Sequence, residues 1–116
     1  MQTTLLSSSS INGDNVVNAS GEDVGHIKDL MLDTDQGRVA YAVLSFGGVL
    51  GLGDKLFAVP FDSLQVDRAN KRFILDVPKE KLKSAEGFDK SNWPDFADPA
   101  FRDRTYSHYG ATPYWN

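Results

Sequence analysis

The chain has 116 residues, 41% of them apolar and 24% charged, with no cysteine and a net charge of −4. That is the length of one domain with an ordinary globular composition, so it excludes a collagen-like repeat, a coiled coil, a mostly disordered chain, disulfides, thiolate metal sites and a cysteine nucleophile. The acidic balance argues against direct nucleic-acid binding. Charge is uneven, however: residues 1–36 hold six acids and one lysine, residues 37–83 eight bases and five acids, and residues 84–116 five acids and three bases. The bases Lys71, Arg72, Lys79, Lys81 and Lys83 read as a solvated face, or else as a docking patch for an acidic partner.

Residues 1–10 lack the basic start and apolar run of a secretory signal and read as a flexible leader. After the turn residues Asn12-Gly13-Asp14 comes the apolar pair Val16-Val17, and Ser20-Gly21-Glu22-Asp23 is a second turn. From Gly25 to Asp33 the pattern is strand-like, but Ile27 and Met31 share one phase and Leu30 and Leu32 the other. A bulge near Asp29 reconciles them, because one extra residue switches the alternation. Asp33-Thr34-Asp35-Gln36-Gly37 is a hairpin loop with glycine where positive φ is needed. The returning strand, Arg38 to Phe46, is apolar on both faces, as a strand covered on its outer side is. Residues 39–53 carry no charge, yet they are too short and too glycine-broken to span a bilayer, so no membrane insertion is expected.

Lys55 to Val59 is the next strand, ended by Pro60. Leu64 to Asp67 and Arg72 to Val77 pair around Arg68-Ala69-Asn70-Lys71. Lys79 to Ala85 is a short helix with Leu82 facing inward, closed by Gly87. The expected core comprises Ile27, Leu30, Leu32, Val39, Tyr41, Val43, Leu44, Phe57, Val59, Phe73 and Leu75. Residues 88–116 change character: seven aromatics fall between Trp93 and Trp115, too many for a disordered tail. Asp98-Pro99 suits a helix start, with a helix to about His108 placing Phe101 and Thr105 on one face. Short strands at close spacing with no βαβ alternation predict an all-β fold, a small barrel.

The segments Gly21-Glu22-Asp23-Val24-Gly25-His26-Ile27-Lys28-Asp29-Leu30-Met31-Leu32-Asp33, Gly37 to Gly48 and Lys55-Leu56-Phe57-Ala58-Val59-Pro60-Phe61 resemble the PRC-barrel domain. Gly87-Phe88-Asp89-Lys90-Ser91-Asn92-Trp93-Pro94 is similar to the corresponding segment of stand-alone bacterial members. The resemblance implies a small, strongly bent β-barrel over residues 11–87 that binds other proteins, with a short helix and an aromatic-rich C-terminal extension over 88–116. The family includes the cytoplasmic domain of the photosynthetic reaction-centre H subunit and the C-terminal domain of a ribosome maturation factor, and it shares no catalytic motif.

Chemical motifs are weak. Gly48-Val49-Leu50-Gly51-Leu52-Gly53-Asp54-Lys55 has the outline of a phosphate loop but lacks Gly-Lys-Ser/Thr. Asp33 and Asp35 begin a calcium-loop spacing that Gly37 breaks. His26 and His108, the two histidines, lack ligand spacing, Ser45 has no nucleophile elbow, and Asp62 and Asp67 read as turn formers. The expectation is therefore a non-catalytic, cytoplasmic protein-interaction module without a cofactor or metal. It is expected to form a homodimer whose C-terminal segment helps make the contact, the alternative being a tail folded back on its own barrel, and to bind a further protein partner; the expected interaction residues are Val49, Leu50, Leu52, Trp93, Phe96 and Phe101. The alternatives are a small-ligand binder or enzyme using the barrel mouth, which a deep polar pocket would favour, and a ribosome-assembly role, which a basic surface would favour.

Overall fold

Strand-forming segments with two apolar faces must be covered twice, and the computed structural model, which describes residues 5–46 and 55–115, shows both coverings. The chain order is α1 (Ser8–Ile11), β1 (Asn15–Val17), β2 (Asp23–Asp33), β3 (Arg38–Phe46), β4 (Lys55–Pro60), a 3₁₀ turn (Phe61–Ser63), β5 (Leu64–Asp67), β6 (Arg72–Leu75), α2 (Lys79–Lys83), β7 (Gly87–Phe88) and α3 (Pro99–His108). The seven strands form one sheet in the order β5-β6-β1-β2-β3-β4-β7. All pairs are antiparallel except β1 with β6. The sheet bends around an interior without closing; β5 and β7 are its edges among the described residues.

The interior holds Val16, Val24, Ile27, Ala42, Leu44, Phe57, Val59, Phe73 and Leu75, with Ile11 and Leu82 buried beside them. Ile11 belongs to α1, a single turn capped by the Ser7 side chain, which accepts from the Ser10 amide (3.2 Å), so part of the serine-rich leader is structured. Tyr41 and Ala58 face the other way, into a second cluster with Phe101 and Tyr106 of α3. The C-terminal extension thus covers the outer face of its own sheet. Of the two coverings the sequence allowed, the folded-back tail is the one seen: the aromatics that motivated a dimer contact pack on the same chain.

Two irregularities set the register of the β2–β3 hairpin. Ile27 pairs with Leu44 and Asp29 with Val43, which leaves Lys28 as the extra residue at the expected bulge. A second shift, where Met31 pairs with Tyr41 and Leu32 with Val39, leaves Ala40 extra in β3. The loop itself is as expected: Gly37 has φ +67° and its N–H donates to the Asp33 carbonyl (2.9 Å). Leu32, expected in the core, is 65% exposed. It lies one ladder pair from the loop, past the end of the interior layer. Leu30 and Val39 are half-buried rather than buried. Gly87 does not close α2 either. The Ser84 N–H does so by donating to the Glu80 carbonyl (3.0 Å), and Gly87 pairs with Phe57 as the start of β7.

Candidate functional site

α3 begins as its sequence dictates: Asp98 accepts from the Ala100 amide (3.0 Å), Pro99 sits in the first turn, and the helix runs to His108. Its buried residues are Phe101 and Tyr106; Thr105 is half-buried. The Tyr106 hydroxyl donates to the carbonyl of Ala40 (3.0 Å), the residue that the second bulge takes out of the β2–β3 register. A bulge leaves its extra residue unpaired, so the strand defect is where the helix docks. Burial pushes the Tyr106 phenol up to about 12.

Beyond α3 the chain returns across the hairpin. The Tyr114 hydroxyl donates to Asp33 Oδ2 (2.5 Å), while Asp33 Oδ1 accepts from the amides of Asp35 (3.1 Å) and Gln36 (3.0 Å). The Tyr114 hydrogen bond, more than the turn amides, holds the Asp33 carboxyl below its usual range. Tyr114 and Trp115 stack edge to face (5.4 Å), and each carries an arginine: Arg38 lies 3.8 Å from the Tyr114 ring centre and Arg102 4.0 Å from that of Trp115. Arg38 also donates to Asp62 Oδ2 (2.6 Å).

Between this strap and the hairpin lies an open cleft of about 460 Å³, walled by Met31, Tyr41, Phe96, Arg102 and Trp115 and edged by residues 32–36. The Tyr41 phenol is buried and has no hydrogen-bond partner among the described residues, and burial raises its pKa. A buried hydroxyl without a partner loses its hydration uncompensated.

Of the residues predicted to bind a partner, Val49, Leu50 and Leu52 lie outside the described residues. Phe101 is 4% exposed and held in its own chain's aromatic cluster. Phe96 is half-buried between Tyr41 (5.4 Å) and Phe101 (5.5 Å). Trp93 is 36% exposed, with its ring against Phe88 (5.3 Å) and Phe96 (6.0 Å). Among the described residues no three His, Asp or Glu side chains converge as a metal site would need. His108 Nε2 meets the Lys81 carbonyl (2.8 Å), and Ser45 is buried in β3. The arginines and the Tyr114–Trp115 pair escaped the sequence reading because Asp33 and Tyr114 are 81 residues apart.

The PRC-barrel domain model matches residues 4–82 of the sequence. The chain belongs to the PRC-barrel family. Among solved structures it is similar to that of a protein described as a 16S ribosomal RNA processing protein, RimM, from Pseudomonas aeruginosa, at 18% identity and a TM-score of 0.44 over 65% of this chain. The chain spans 45% of that protein's length. No curated protein matches it. The PRC-barrel match ends at Leu82, so the cleft joins two sources: the barrel strands supply Met31 and Tyr41, and the extension beyond the match supplies Phe96, Arg102 and Trp115. No helix among the described residues is long and apolar enough to cross a membrane.

Proposed function

We propose that this PRC-barrel protein is a non-catalytic module, working in the cytoplasm, that recognises another protein through the apolar surface beside the strap. Trp93 carries the reading. Its indole is held at fixed angles by Phe88 and Phe96 yet keeps a third of its surface open. A large aromatic fixed in advance loses little entropy on binding, and tryptophan is enriched among residues that dominate interfaces. Leu32, 65% exposed on the lip of the cleft that Phe96 also lines, is a second open apolar side chain. Self-association through the tail is not part of the proposal, because the tail aromatics already cover β3 of the same chain.

Capture from the source cell with the full chain and with Trp93→Ala, followed by mass spectrometry and titration of the purified pair, tests it. A partner bound at least tenfold more weakly by Trp93→Ala is the expected result; a partner indifferent to the substitution overturns the surface. A turnover lost on Ser45→Ala, Asp62→Ala or His26→Ala would overturn the non-catalytic part.

A further inference from the structure

An arginine stacked on an aromatic ring uses the face of its guanidinium and leaves the N–H edge for a planar acceptor. The strap holds two such arginines side by side, and only one is complete. Arg38 has Tyr114 against its face and Asp62 on its edge. Arg102 has Trp115 against its face, and among the described residues no carboxylate or carbonyl lies on its edge. The comparison extends along the molecule: Arg72 has Asp67 (2.9 Å) and Arg104 has Glu86 (3.1 Å). The nearby Asp33 feels the charge of Arg102 but is hydrogen-bonded to the turn amides and Tyr114, and no ion pair joins the two among the described residues.

Arg102 borders the 460 Å³ cleft, together with the rings of Tyr41, Phe96 and Trp115 and the Met31 side chain. The volume is in the range of small-ligand sites, which combine apolar walls with a few convergent polar groups. Tyr41 contributes its ring to this wall, while its hydroxyl is buried without accessible surface. The open edge of Arg102 carries N–H donors only, so it calls for an acceptor. Asp33 and Asp35 also edge the cleft, Asp33 within electrostatic reach of Arg102, and they oppose a second negative charge on a ligand.

We propose that this cleft binds a small aromatic monocarboxylate, its flat body against Tyr41, Phe96 and Trp115 and its carboxylate on the edge of Arg102. The site adjoins the protein-binding surface proposed above at Phe96 and Leu32, and a small-ligand titration reads it without any protein partner.

Calorimetric titration of the full chain with 2-naphthoate, with amide-proton NMR shifts to map the contact, tests the proposal. Saturable one-site binding is expected, with shifts centred on Met31, Phe96, Arg102 and Trp115. The isosteric neutral 2-naphthamide and the doubly charged 2,6-naphthalenedicarboxylate should each bind at least tenfold more weakly. Arg102→Gln should lose a similar factor for naphthoate, and Arg104→Gln, whose arginine is paired with Glu86, should lose none. Failure to saturate at millimolar naphthoate, equal binding of the amide or the dicarboxylate, or shifts mapping elsewhere would each overturn it. The amide comparison uses the unaltered chain, so it decides the matter even if Arg102→Gln loosens the strap.

Discussion

Gly25 shows how much a single missing side chain can decide. Its φ is +108°, and a Cβ there would lie 2.2 Å from the Ser45 carbonyl oxygen. The close approach of β2 to β3 depends on glycine for both conformation and space. Gly25→Ala should therefore cost more than about 1 kcal/mol, read from urea unfolding; an unchanged midpoint would refute the close contact. Tyr41 presents the opposite case, a polar atom without a partner in an otherwise apolar cluster. Tyr41→Phe should leave stability unchanged or raise it by up to about 1 kcal/mol, because the buried hydroxyl is not compensated in the folded state.

Among the elements, the strap after α3 is the most conditional, since one titratable pair fastens it to the hairpin. The Tyr114 hydroxyl, followed by the turn amides, holds Asp33 below the usual carboxylate range. A depressed carboxyl contributes stability that is full above its unfolded value near pH 4 and is lost as pH falls through its lower folded value. Burial, and then the bond to Asp33, pushes Tyr114 up to about 12. A raised phenol contributes below its unfolded value near pH 10 and loses that contribution as pH climbs through about 12. Near-UV circular dichroism of the Tyr114–Trp115 pair should thus be flat through neutral pH and change at both extremes. Asp33→Asn should remove the acid limb, and an acid limb of undiminished size in that variant would show that Asp33 does not fasten the strap.

At the scale of the molecule, two cores share one sheet: the interior around Ala42 and Leu44, and the outer cluster in which Tyr41 and Ala58 meet α3. Removing residues 88–116 would strip the second covering and expose a contiguous apolar face, which soluble proteins rarely leave open. The truncated chain should unfold at lower urea and self-associate more strongly than the full chain, as light scattering would show. Identical masses and midpoints for the two chains would mean that the tail does not cover the sheet in solution.

The sequence by itself determined the local frame. The hairpin loop, the bulge at Lys28, the span of β3 and both ends of α3 follow from steric rules acting over a few residues: positive φ at Gly37, alternation of period two, and an Asp cap before a proline. Two apolar faces on β3 also announced that something must cover each. What covers the outer one was decided only by tertiary structure, because a partner copy and a folded-back tail bury the same surface and leave the same pattern. The exposure of Leu32, the strand role of Gly87 and the second bulge at Ala40 were decided there too. The cleft has the same origin: Tyr106 reaches a carbonyl 66 residues away and Tyr114 a carboxylate 81 residues away. Nothing in the local spacing encodes such pairs, since they form only when packing has brought the extension onto the sheet.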